Sequence, residues 1–388
     1  MSESADRSGV RPEQPAAVPW QIWCSVIAVT SAIVGVHWDI SWHRSIGRDS
    51  FWTPAHIAIY LCGVLAGLAS GSLILSTTLG RNEAARQASV RIWGFRGPLG
   101  AFLSAWGGIA MLTSAPFDNW WHGAYGLDVK ILSPPHMVLA AGMVTVGLGA
   151  LILILGPMNR SGGGLHRRLH SLFLYTGAAI VVFMLVVTME YLFRIYMHSA
   201  TFYRVVCLTA PPVLAAVAMA SGRRWAATSV IGIYTVFLLG MQWIFPLFPA
   251  EPKLGPVYQK VTHFIPPEFP LLLIVPAVAL DLLRSRAGRW NRWLQAATAG
   301  PLFLATFLAV QWPFASFLMS PAARNWFFGT HYLDYGIPST SYYVRNLFFP
   351  LERTPAEFWT GMAIALVAAV LSTRLGLAWG SWMQRIRR

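Results

Sequence analysis

The chain has 388 residues, 55% of them hydrophobic and 11% charged, with a mean hydropathy of +0.52. Apolar runs of about 20 residues recur along the whole length, which is what a helix needs to cross a bilayer core; this excludes a water-soluble enzyme and predicts an all-α, polytopic integral membrane protein of about ten transmembrane helices. The net charge of +14 is not a nucleic-acid footprint, because the basic residues are dealt out between the apolar runs by side.

In chain order, residues 1–19 are polar, with Pro12, Pro15 and Pro19, and read as a disordered cytoplasmic tail without a cleavable signal. The expected spans are 20–37, 56–78, 97–115, 136–156, 171–193, 205–221, 226–247, 268–283, 296–318 and 357–380. Eighteen of the 29 basic residues, from Arg7 and Arg11 through Arg223, Arg224, Arg284 and Arg292 to Arg388, fall on the side of the amino terminus, and ten fall on the other. That asymmetry places both termini in the cytoplasm of a bacterial-type inner membrane. Cys24, Cys62 and Cys207 sit singly in apolar runs, as buried packing residues do, and form neither a disulfide framework nor a metal clip.

Between the first and second spans lies "DISWHRSIGRDSFWTPAHI", and between the third and fourth "DNWWHGAYGLDVKILSPPHM". Both read D-x2-W-H, six residues to an Asp, then [ST]-P-[AP]-H, so 20–156 is a tandem hairpin repeat and 157–388 a second membrane region of unassigned role. Asp39 and His43, like Asp118 and His122, are four apart and share a helix face. Thr53-Pro54 and Ser133-Pro134 mark the starts of the following helices, with His56 and His136 in their first turns. Each hairpin thereby offers one carboxylate and two imidazoles, a metal-ligand set with open positions. Asp49 and Asp128 are placed to orient the ligating rings, and Trp42 and Trp121 to line the cavity between them. A single interfacial His is as readily a hydrogen-bonded belt residue; recurrence of the whole pattern on one side of the membrane is what packing alone does not require.

The first window resembles the signature of the C subunit of the copper-dependent membrane monooxygenases, the particulate methane and ammonia oxygenases. In that family an Asp, a His four residues on and a second His after twelve more bind copper, around an R-D-x-x-F-T-P-S-H-like stretch; here stand Asp39, His43, Arg48-Asp49, Thr53-Pro54-Ala55-His56. Asp118, His122 and His136 have the spacing of the family's neighbouring set, whose first residue is typically Asn. The resemblance covers about residues 30–155. It implies copper, oxygen-dependent oxidation of a small apolar or reduced substrate, electrons from a quinol or a periplasmic carrier, and partner subunits; nothing here resembles the family's cupredoxin domains.

Further on, "MEYLFRIYMHS" sets Glu190, Arg194 and His198 at i, i+4 steps, an ion-paired stripe or a proton relay. "YQKVTHFIPPEFP" holds His263 and Glu268 in a similar loop–proline–helix form without an upstream Asp/His pair. The loop 320–355 carries His331, Asp334, Arg345 and Glu352, which would cap the site or dock a partner. The glycine-rich stretch 158–170 lacks the Lys-Ser/Thr of a phosphate loop. Copper is the preferred ion by the Irving–Williams order, with one or two ions held. Copper transport, delivery or assembly, and zinc-dependent hydrolysis at the membrane face, stand as alternatives; homo-oligomerisation is left open.

Overall fold

A computed structural model describes residues 17–47, 49–126, 132–253, 261–329 and 351–386, with the side chain of Arg194 outside that set. The expected tail (through residue 16), Asp128, the start of the 258–270 stretch, and His331, Asp334 and Arg345 therefore lie outside the described residues.

Eleven α-helices are described: α1 (Trp20–Ser45), α2 (Pro54–Leu79), the short α3 (Glu83–Gln87), α4 (Leu99–Tyr125), α5 (Pro134–Arg160), α6 (Gly163–Val187), α7 (Ala200–Ser221), α8 (Ala226–Ile244), α9 (Ile274–Ala287), α10 (Arg292–Leu318) and α11 (Pro355–Met383). Among the described residues, nine helical segments are long and apolar enough to cross a membrane. The protein is an all-helical membrane protein in contact with the bilayer.

The eighth expected span, 268–283, is a correction. It becomes α9, a helix of 14 residues, about 21 Å at 1.5 Å per residue and too short for a roughly 30 Å core. Pro266, Pro267 and Pro270 deny the preceding stretch its helical amide donors. That extended backbone is tolerated because protein, not lipid, satisfies it. The Leu271 amide donates to the buried Tyr234 hydroxyl (3.1 Å), and the Leu272 amide to Gln311 Oε1 (3.0 Å).

Several helices overrun the apolar runs that announce them. α1 has 26 residues and α4 has 27, about 40 Å each, roughly two turns more than a core of about 30 Å requires. Roughly their last two turns carry Asp39 and His43, and Asp118 and His122. The end of α1 stays helical because the 261–270 segment straps it: Ser41 Oγ donates to the Ile265 carbonyl, and the Ile265 amide donates to Ser45 Oγ (2.7 Å).

Close helix approach fixes the two hairpins. A Cβ at Gly35 would lie 2.8 Å from the Ile59 amide nitrogen of α2, and one at Gly107 would lie 2.7 Å from the Val146 nitrogen of α5. Small residues at such crossings let backbones touch, which is how helices associate where lipid leaves no hydrophobic drive. On the far side α11 packs along α7, where Ser372 Oγ donates to the Cys207 carbonyl (2.6 Å). The connection from α3 to α4 contains an antiparallel hairpin, β1 (Val90–Ile92) and β2 (Phe95–Gly97). Its two-residue turn places Trp93 and Gly94 at positive φ, the turn that suits strand twist; no motif in the sequence announced it.

The Glu190–His198 stripe is a second correction. α6 ends at Val187, and residues 189–191 and 194–196 form separate 3-10 turns. No continuous helix aligns Glu190, Arg194 and His198. Thr188, whose hydroxyl bonds back to the Met184 carbonyl (2.8 Å), sits where the helix breaks, as hydroxyl residues that compete with helical bonding do.

Candidate metal centre

The first hairpin builds its cluster from the local turn upward. The Thr53 amide donates to the Ser50 carbonyl (2.9 Å), while Thr53 Oγ1 accepts from the Ser50 amide (2.8 Å). Thr53 thus occupies the N-cap position with Pro54 next, but its hydroxyl closes the preceding turn instead of capping α2. The turn brings the Ser50 carbonyl to His56 Nδ1, 2.9 Å away. With Nδ1 held there, Nε2 is the nitrogen turned toward the carboxylates. It faces both carboxylates, 3.1 Å from Asp39 Oδ1 and 3.1 Å from Asp49 Oδ2. His43 Nε2 lies 3.3 Å from the same Asp49 oxygen and 3.8 Å from Asp39 Oδ2.

Asp39, His43 and His56 are therefore brought together, and Asp49 joins them. The sequence placed Asp49 behind the rings as an orienting group; it stands in front, on the same Nε2 atoms as Asp39. One donor atom each from Asp39, Asp49 and His56 falls within 4.8 Å of the others. The two imidazoles bonded to it hold the Asp49 carboxyl well below the usual carboxylate range.

In the second hairpin both imidazoles reach one carboxylate, but among the described residues only the first hairpin gathers three donor atoms within 4.8 Å. His122 Nε2 lies 3.3 Å from Asp118 Oδ2, and His136 Nε2 lies 3.4 Å from Asp118 Oδ1. His122 Nδ1 is 3.2 Å from the Gly126 carbonyl, again leaving Nε2 to face the carboxylate. Gly126 takes φ +89° to end α4, a conformation that glycine adopts without strain.

Both clusters open on one cavity of about 110 Å³, enclosed by α1, α2, α4, α5 and the end of α6. Asp39 and His56 line one part and Asp118 and His136 another, with Tyr60 and aliphatic side chains such as Ile59 and Met143 making the rest of the wall. Tyr60 was not foreseen. It stands one turn after His56, within electrostatic reach of Asp118, Asp39 and Asp49, and the i, i+4 step from a candidate ligand was the available signal.

Trp42 and Trp121 do not line this cavity, which corrects their expected place. On a helix each sits one residue, about 100°, away from its neighbouring His. Trp42 packs on Phe264, with ring centroids 5.9 Å apart, and Trp121 on Tyr125 at 4.5 Å, both pairs tilted.

A cation fits these residues on one structural ground. Asp39 Oδ1 and Asp118 Oδ1 are both buried, and neither receives a hydrogen bond of acceptable geometry. Each lies against an imidazole Nε2, 3.1 Å from His56 and 3.4 Å from His136, so an ion placed between ring and carboxylate would give both a ligand role. In each hairpin the same oxygen of the equivalent Asp is the one concerned, Asp39 Oδ1 facing His56 Nε2 and Asp118 Oδ1 facing His136 Nε2. The donor set does not identify the ion.

No family model, curated protein or solved structure matches the chain. The remaining expected site residues fall elsewhere. His198 Nε2 contacts the Trp312 carbonyl (3.2 Å) and Ser316 Oγ (3.1 Å), and its ring meets Trp312 edge-on at 4.6 Å. Burial pushes that imidazole down; it locks the approach of α10 to α7. Glu352 caps α7, accepting from the amides of Ala200 (3.2 Å) and Thr201 (3.1 Å). His263 bonds Thr262, while Glu268 reaches across to Arg44 at 3.6 Å. That pair borders a second cavity, with His37 and Tyr234, on the other side of Ile40.

Proposed function

We propose that the protein is a copper-binding integral membrane protein of the monooxygenase C-subunit type, which oxidises a small apolar or reduced molecule with oxygen. The observation that carries this reading is the paired stranding of Asp39 Oδ1 and Asp118 Oδ1 opposite imidazole nitrogens on one shared, largely apolar cavity. Asp39, Asp49, His43 and His56 would hold one ion, and Asp118, His122 and His136 a second. Copper in such N/O sites supplies redox chemistry toward oxygen.

The chain's own residues do the rest. Ser50 and Gly126 fix the orientation of the His56 and His122 rings through their Nδ1 atoms, which turns each Nε2 toward the carboxylates. The aliphatic wall of Ile59, Leu139 and Met143 selects small apolar molecules over ionic ones. Lipid beside the helices gives such molecules a route to the cavity. Both termini are assigned to the cytoplasm and the clusters to the periplasmic side of a bacterial-type inner membrane, because the helix ends opposite the two Asp/His clusters gather the arginines.

Elemental analysis of the purified full-length protein tests this. Copper at one or two ions per chain, lost when His43→Ala and His122→Ala are combined, is the expected result. Zinc in its place would favour the hydrolase alternative. An unchanged metal content in the double variant would refute the ligand assignment.

A further inference from the structure

At the end of the bundle remote from the candidate metal centre, the loops and helix ends of α7, α8, α9, α10 and α11 surround a polar hollow. Three arginines line it, Arg224, Arg284 and Arg292, together with Gln295, Gln384 and one acid, Asp281. Asp281 is already engaged: its carboxylate accepts from the Ala227 amide (3.3 Å), the Thr228 amide (2.8 Å) and Thr228 Oγ1 (2.8 Å) at the start of α8. Asp281 lies within electrostatic reach of Arg284, but its oxygens are spent on α8 and the arginines keep most of their donors. Arg284 uses one N–H on the Arg223 carbonyl (2.7 Å) and Arg292 one on Gln295 Oε1 (3.2 Å). A guanidinium has five N–H donors, so most of the donor set is left for an anion.

The hollow does not stop at the polar layer. Asp281, Arg284 and Gln295 also border an almost wholly apolar slot that runs inward between the same helices, walled by residues such as Leu214, Ala218, Leu280 and Leu377. The flanks are those of a membrane interface. Trp225, Trp290 and Trp293 are each more than 40% exposed, and the Arg224 guanidinium lies 5.1 Å from the Trp225 ring. Exposed tryptophans of this kind settle at headgroup level.

A cationic cup continuous with an apolar slot, at headgroup depth, matches one class of molecule. We propose that this two-part hollow binds an anionic glycerophospholipid, its phosphate held among Arg224, Arg284 and Arg292 and one acyl chain lying in the slot. Basic pockets between helices at the cytoplasmic surface recognise such headgroups, and the planar guanidinium fork suits a phosphate. The slot distinguishes a lipid from a free phosphate, which would fill the cup and leave the apolar part empty. The site is independent of the metal centre and gives α7–α11 a role that the histidine clusters do not.

The test uses full-length protein in a non-ionic detergent and follows both bound lipid by native mass spectrometry and thermal stability. The probes are phosphatidylglycerol, phosphatidylcholine with the same chains, glycerol phosphate and inorganic phosphate. Phosphatidylglycerol should bind and raise Tm while phosphatidylcholine does not. Arg224→Gln with Arg292→Gln should weaken binding by about fivefold for each charge removed. Equal binding of both lipids by wild-type protein would overturn the proposal, and needs no variant. Inorganic or glycerol phosphate acting as strongly as phosphatidylglycerol would overturn it too, by making a free anion the ligand.

Discussion

At the scale of single residues, the candidate site turns on which atoms face which. Asp49 shares its Oδ2 with two imidazoles, so its removal should matter more than an orienting role behind the rings would suggest. Asp49→Asn is expected to lower metal affinity by at least the 10–100-fold typical of an orienting partner, measured by competition with a chelator. The same carboxyl gives a pH signature in the metal-free protein. Its folded pKa is depressed, so its stabilising contribution is complete above the ordinary carboxylate value of roughly 4 and is lost as pH falls toward the folded one. Asp49→Asn should therefore flatten the acid limb of a Tm-against-pH curve; an unaltered limb would show that the ion pairs contribute nothing. The sequence spacing announced Asp39, His43, His56, Asp118, His122 and His136, because i, i+4 steps and helix-start prolines are local rules. It did not announce the forward position of Asp49, which depends on how the 46–53 turn folds back, nor the outward turn of Trp42 onto Phe264 from a segment over two hundred residues away.

At the scale of elements, each centre exists only because two helices approach closely just inside it. Gly35 sits one turn before Asp39, and its missing Cβ admits the backbone of α2 near Ile59. Gly35→Leu should push the helices apart and cost about 1–3 kcal/mol by overpacking. Measured separately, metal stoichiometry should fall by the ion at Asp39 and His56 while the second centre is kept. Loss of both ions together would mean that the hairpins are not independent. Long helices were legible from hydropathy, yet their true ends were not: α1 continues to Ser45 through polar residues because the 261–270 strap satisfies them. The same long-range contact explains why α9 is half a span. Prolines set the break, but only the Tyr234 hydroxyl and Gln311 Oε1 make an extended backbone affordable inside a membrane protein.

At the scale of the whole molecule, chemistry is divided between two ends. One end holds seven carboxylate and imidazole side chains in two clusters, four of them lining one cavity; the other gathers arginines around a cup and slot. The charge asymmetry in the sequence foretold this polarity, since it follows from counting residues between spans. Convergence of both hairpins on a single cavity was beyond any count, because it requires α1, α2, α4 and α5 to pack side by side. The central claim is that this shared cavity is flanked by two metal ions. Diffraction from copper-loaded crystals at the copper absorption edge measures it most directly. Two anomalous peaks are predicted, one among Asp39, Asp49 and His56 and one among Asp118, His122 and His136. Loaded crystals with no peak at either place, and copper bound elsewhere or not at all, would contradict the account.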